Sequence, residues 1–196
     1  MTSSPSRRAP RLHVSPAVLR QLHSLTLNMA PAIVADRRDF HRYAETGWTE
    51  FRTSSLIARR LVDLGYEVRV GREVVASASR QGVPAADLLA AAWDRARRQG
   101  GDPEFLDNVA GGFTGVVGTL TRGEGPTVGL RFDIDALELQ ESRDASHRPV
   151  VAGFASVNDG AAHACGHDGH AAIGLGVARA VVELSKAVQG TVKLVF

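Results

Sequence analysis

The sequence predicts an α/β domain with a mostly parallel sheet flanked by helices. Three observations carry that expectation. Apolar residues recur at helical spacing in several separate stretches. Short β-type runs alternate with those stretches: "YEVRV", "FTGVVGTL", "PTVGLRFDIDAL" and "TVKLVF". The third run is nearly continuous in apolar residues up to its acidic end, the pattern of a strand buried on both faces.

The elements follow in order. Ser15-Pro16 reads as a helix start, with Ser as N-cap and Pro at the first helical position. Val18, Leu19, Leu22 and Leu25 then share one face. A second helical stretch runs from about Ile33 through Tyr43. A third begins near Thr49, carries Leu56, Ile57, Leu61 and Leu64, and ends at Gly65. "YEVRV" alternates as a strand, and residues 71–83 are polar and irregular. "PAADLLAAAWDRARRQGG" is helical, bounded by Pro84 and Gly100. "FTGVVGTL" and "PTVGLRFDIDAL" read as two strands joined by a turn at "TRGEG". Residues 138–160 read as a long loop. A helix covers about Gly166 to Lys186, Gly190 closes it, and "TVKLVF" starts another buried strand. The chain stops inside that strand, so a fragment, a split gene or a truncated frame is the expectation.

Composition narrows the function classes. The 196 residues suffice for one domain, and 44% hydrophobic content supports a packed core. Net charge is +2, from 23 basic and 21 acidic residues, which gives no reason to expect nucleic acid or a membrane surface as partner. The single cysteine rules out an internal disulfide, so a cytoplasmic setting is the default. Residues 1–14 read as a loose polar tail without the apolar core of a signal peptide.

Two clusters can carry chemistry. In "RFDIDAL", Asp133 and Asp135 stand at the C-terminal end of a predicted strand, where ligand crevices of open α/β sheets lie. Residues two apart point to the same side of a strand, so the two carboxylates can converge. The alternative is a pair of solvated acids in a turn. In "AHACGHDGH", Cys165 and His167 flank Gly166. Thiolate and imidazole are both ligands for zinc and related metals, and Gly166 permits torsions that bring both toward one ion. His163 and His170 lie four and three residues from His167, and Asp168 can orient a ligand imidazole. Cys165 as a buried apolar residue, histidines as caps, or a Cys–His nucleophile pair are the competing readings. His41 and Glu45 in "HRYAETGW" read as a helix-surface pair. Trp48 and Phe51 read as core.

"RFDIDALELQES" followed by "HACGHDGHAAIGLG" resembles the amidohydrolase branch of the co-catalytic metallopeptidases, which includes aminoacylases, carboxypeptidase G and auxin-conjugate hydrolases. The upstream "RRDFHRYAETGWTEFRTSSLIARRLVDLGYEV" is similar to that family's N-terminal helix pair. The stretch from "GREVVASASRQG" to "GGFTGVVGTL", with "SHRPVVAGFASVNDG", looks like the subgroup formed by one of the subunits of p-aminobenzoyl-glutamate hydrolase. Together these cover residues 16–196.

The resemblance implies the N-terminal half of a di-metal peptidase catalytic domain over residues 15–196, and amide hydrolysis with two divalent ions, Mn2+ or Zn2+. The implied substrate is a small N-acyl amino acid, p-aminobenzoyl-glutamate cleaved to p-aminobenzoate and glutamate. Cys165 and His167 match the metal-ligand positions, and Asp133 matches an orienting acid. Asp135, His163, Asp168 and His170 would support them. A homodimer or a partner subunit is implied for the full-length protein. The glutamate pair, the later histidine ligands and the lid or dimerisation domain expected past "TVKLVF" have no counterpart before Phe196. The general base is thus expected outside this chain, and the chain alone is expected to be inactive. A non-catalytic metal- or partner-binding half-domain and a Cys165-dependent hydrolase are the alternatives.

Overall fold

The computed structural model describes residues 14–196; residues 1–13, and with them nearly all of the expected tail, lie outside the described part. The elements are α1 (Pro16–Arg42), α2 (Phe51–Asp63), β1 (Glu67–Val70), α3 (Ala86–Arg98), β2 (Val116–Arg122), β3 (Thr127–Arg131), α4 (Arg148–Val151), α5 (His167–Glu183) and β4 (Gly190–Val195). The α/β class is borne out. Ser15 caps α1 by accepting from the Val18 N–H, as its sequence position requires. The two helical stretches expected before residue 43 form one helix, with Pro31 inside it. A proline there removes a helical hydrogen bond, and packing of α1 along α5 offsets the loss. The loop over 138–160 contains the single turn α4.

The four strands are ordered β1-β2-β4-β3. The sheet is mixed, where the sequence suggested a mostly parallel one. β1 pairs antiparallel with β2, β2 antiparallel with β4, and only β3–β4 is parallel. β4 enters between β2 and β3, so the "TRGEG" connection spans a gap and closes no hairpin. The entry is tight. Gly190, at φ +92°, passes so close to the preceding turn that an added Cβ would lie 2.2 Å from the Pro126 carbonyl oxygen. The Thr191 N–H then donates to that same oxygen at 2.9 Å. β3 also departs from expectation: all five of its residues are exposed. Among the described residues it is an edge strand, and its run of apolar residues has no covering layer.

β4 is buried in part: Gly190 and Leu194 are buried, Lys193 is exposed, and the other three are half-buried. Leu194 is fully buried, and Val116, Leu120 and Phe196 join Phe51, Ile57, Leu61 and Leu175 in one core between the sheet and helices α2 and α5. The Tyr66 hydroxyl donates to the Ala178 carbonyl and ties the entry of β1 to α5. Phe51 is core, as expected. Trp48 is not: it is half-buried and lines a cavity, with its backbone at φ +66°. It is the one non-glycine positive-φ residue among the described ones; such a conformation costs about 1–3 kcal/mol. No helix among the described residues is long and apolar enough to cross a membrane.

The register of β4 depends on the glycine at its start. Gly190→Ala is expected to lower stability by at least about 2 kcal/mol, through a forbidden φ and a backbone clash. The midpoint of urea unfolding measures it, and an unchanged midpoint would contradict the packing described for Gly190.

Candidate metal centre

Past Arg131 the chain leaves the sheet and is held by backbone contacts on two sides. The Ala136 N–H donates to the Glu45 carbonyl at 2.7 Å. Leu137 and Ala162 exchange N–H···O bonds at 3.0 and 3.1 Å. The second exchange draws the "RFDIDAL" and "AHACGHDGH" stretches together, although about thirty residues separate them. Gly166 then takes φ +86° and serves as the N-cap of α5, a conformation glycine accepts without cost. His167 and His170 follow in the first turn, three residues apart on one face, with their rings stacked 5.2 Å apart.

Donor atoms of Asp133, His167 and His170 all lie within 4.8 Å of one another, the one such group among the described residues. Asp133 bonds Arg131 through one oxygen at 2.5 Å and points the other at His170 Nδ1, 4.0 Å away. Asp135 accepts from His167 Nδ1 at 2.9 Å, and the Asp135 carbonyl oxygen lies 3.0 Å from the same nitrogen. With both acceptors on Nδ1, the proton belongs there and Nε2 is left to act as a ligand. A carboxylate that fixes an imidazole in this way raises its basicity toward a metal. Two imidazoles and a carboxylate form a donor set suited to a divalent ion such as zinc or manganese. Cys165 is exposed, and its sulfur is not among the converging donors.

The other members of the cluster have different surroundings. Asp168 faces away from the donor group and is fully buried. Its Oδ2 accepts from His41 Nδ1 at 2.8 Å and from Arg37 Nε at 3.0 Å. His41 in turn reaches Glu141 through Nε2 at 2.9 Å, and His147 meets the same Glu141 oxygen at 3.0 Å. Burial opposes a charge on His41, but the hydrogen bonds it donates to Asp168 and Glu141, with their charges, outweigh it and raise its pKa. For Asp168 and Glu141 burial pushes the pKa up, and the His41 bond leads the opposing set that leaves both lowered. His163 is buried beside this network, and neither ring nitrogen meets a hydrogen-bond partner among the described residues. Burial brings its pKa down to about 4, so it is neutral at pH 7.

Sequence reasoning missed the His41 network. His41 and Glu45 are not a surface pair. His41 is buried, and Glu45 is fully buried against the start of α2, where its two oxygens accept from the Arg52 and Thr53 N–H groups. Glu45 thus supplies from outside the helix what an N-cap side chain supplies from within. Glu50 is also buried, accepts from the Thr114 hydroxyl, and is pushed up to about 8 by burial.

Residues 129–196 match peptidase family M20/M25/M40. The matched stretch is 68 of the 196 residues. It contains both motifs on which the resemblance rested, and it holds the three converging donors. Over 179 residues the chain is 48% identical to one of the subunits of the p-aminobenzoyl-glutamate hydrolase of Escherichia coli, covering 91% of this chain and 41% of that protein. It is 47% identical to the indole-3-acetyl-aspartic acid hydrolase of Enterobacter agglomerans, over 89% of this chain and 40% of that one. Among solved structures, the aminobenzoyl-glutamate utilization protein of Klebsiella pneumoniae superposes with TM-score 0.73 at 39% identity, over 90% of this chain and 38% of that one. A dinuclear metal-binding M20 peptidase of Bacillus subtilis superposes at 0.55 and 27% identity, over 90% and 35%. The chain therefore spans about two fifths of the length of these two curated relatives.

The His41 network links α1, α5 and the 138–160 loop, and its pH behaviour follows from the three shifts. The raised His41 contributes stability that is complete below pH 6.5 and is lost as pH rises through its folded pKa. The lowered carboxylates contribute stability present above their ordinary range and lost as pH falls through their folded values. His41→Leu leaves Asp168 with only Arg37 and Glu141 with only His147 as side-chain partners and is expected to cost about 3 kcal/mol, the lower end for a broken buried pair. Denaturant unfolding from pH 4 to 9 should show the deficit greatest in the mildly acidic range; a uniform deficit would contradict the ionic account.

Proposed function

We propose that this chain carries metal-binding residues of a divalent-metal-dependent amidohydrolase that cleaves an aromatic N-acyl amino acid, of the p-aminobenzoyl-glutamate type. The observation that carries this reading is the convergence of Asp133, His167 and His170, with Asp135 holding His167 Nδ1, inside the stretch that matches the family. The substrate class rests on the names of the two relatives, both hydrolases of an aromatic acyl group joined to an acidic amino acid. Two divalent ions are the proposed cofactors, supported by the dinuclear Bacillus subtilis relative; Mn2+ and Zn2+ both suit the donors.

In this reading His167, His170 and Asp133 would hold a divalent ion, with Cys165 as a further proposed ligand and Asp133 as an orienting acid, and Asp135 keeps His167 in the ligating tautomer. Asp168 acts one step further out: through His41 and Arg37 it fixes the first turn of α5. When bound, paired ions polarise the amide carbonyl and lower the pKa of a water molecule. The general base and the remaining ligands are proposed to lie outside these 196 residues, on a longer polypeptide. A partner subunit is also proposed, supported by the Escherichia coli relative's being one subunit of its hydrolase. The setting is proposed to be cytoplasmic.

Calorimetric titration with Mn2+ and Zn2+ tests the centre. An ion at a hundred times its dissociation constant is expected to stabilise the fold by about 2.7 kcal/mol. His167→Ala and His170→Ala are expected to abolish the effect, and Asp135→Asn to weaken binding about 10- to 100-fold. Binding unaffected by all three would remove the proposed centre. Release of p-aminobenzoate by the 196-residue chain with Mn2+ would refute the assignment of the base to another segment.

A further inference from the structure

We propose that the cavity walled by Trp48 is the subsite for a planar aromatic acyl group, and that Trp48 is the residue that selects such a group. This rests on the amidohydrolase reading and specifies its acyl side.

The cavity measures about 540 Å³ and is lined by both carboxylates of the "RFDIDAL" stretch, Asp133 and Asp135. Its volume falls within the range of small-molecule sites, ~300–1,000 Å³. Asp133 also belongs to the converging donor group. An amide carbonyl held at those donors therefore has this cavity as its neighbour. The facing wall comes from the segment after β1, where Val74 and Val75 present aliphatic surface and Trp48 presents its ring.

The Trp48 ring is fixed in place. Its indole N–H donates to the Gln81 carbonyl at 2.9 Å. Its backbone is bracketed by Gly47 and by the Thr49 N–H bond to the Thr46 carbonyl. The Thr46–Ala136 bridge anchors this loop beside Asp135. A bulky residue held in the left-handed region, where glycine would sit without strain, calls for a reason beyond folding. The flat aromatic face that Trp48 brings to the cavity supplies that reason.

The charged groups of the lining decide which end of the substrate fits. Arg80 spends Nη1 on the Gly111 and Gly112 carbonyls and lies 3.6 Å from the Phe113 ring centroid. Arg131 is paired with Asp133. Arg80 Nε is buried without a hydrogen-bond partner, but Asp133 and Asp135 face the same cavity and repel a further carboxylate, so the cavity suits an uncharged ring better than the carboxylates of the amino acid. The acidic amino acid then extends away from Trp48.

The test uses the full chain with p-aminobenzamide and cyclohexanecarboxamide, two uncharged amides of similar size of which only the first has a planar ring. Calorimetry is expected to show p-aminobenzamide binding about tenfold more tightly, the scale of an aromatic pairing added to equal burial. In Trp93→Phe, where Trp48 is the remaining indole, p-aminobenzamide is expected to change the emission saturably. Trp48→Gly relieves the backbone strain and should stay folded by circular dichroism, yet lose the preference for the planar probe. Trp48→Phe should keep it, and Trp48→Leu carries the comparison if the glycine variant unfolds. Equal affinities in the unaltered chain, absence of binding, or a preference that survives loss of the ring would overturn the proposal. Mn2+ affinity measured on the same samples separates the two readings. Metal binding without a Trp48-dependent preference removes the subsite alone, whereas ring selection without metal binding removes the hydrolase reading.

Discussion

His41 is a cation held between two buried carboxylates, and the geometry of the candidate centre depends on it. Asp168 comes from the first turn of α5, Glu141 from the loop after the "RFDIDAL" stretch, and His41 from the end of α1. None of these groups tolerates burial alone. Together they lock the two segments that carry the donors to a third element that carries none. Asp168 lies next to His167 in sequence, so fixing its side chain fixes the direction in which the helix starts. Its charge also sits at the end of α5 where an anion is favoured by the helix dipole.

The local pattern of the sequence was enough to read the caps, most helix limits, the strand β4 and the stretch that holds the donors. Ser15, Gly65 and Gly166 act through their own torsions or side chains, so their roles appear in the nearest few residues. The clustering of histidines in "AHACGHDGH" and the paired acids in "RFDIDAL" were legible for the same reason. The neighbours of each residue were not. Asp135 was expected to work with Asp133, and it instead meets His167, across a backbone bridge between Leu137 and Ala162 that no local pattern encodes.

The errors share one cause. Pairing order, edge position and the partners of a buried polar group are long-range facts. The apolar run in β3 resembled a doubly covered strand because composition does not show which neighbours exist. His41 and Glu45 matched a surface helix pair by spacing, yet the helix ends between them, and each turns inward to a different partner. Trp48 resembled core by residue type, whereas its ring lines a cavity whose other walls come from distant segments. That the departures gather around the centre fits the general expectation that functional regions break local rules.

The position of β4 has a consequence for synthesis. β2 and β3 run in opposite directions with a strand's width between them, and the residues that fill it are 190–195. As the chain leaves the ribosome, β3 has no hydrogen-bonded neighbour until some sixty residues after it have emerged. During that interval its N–H and C=O groups face water or any other strand nearby, the state in which mispairing begins. The helix α5, formed from local contacts, is ready first and can hold Asp133 and Asp135 against its first turn. The candidate centre can thus be partly assembled before the sheet beneath it is closed.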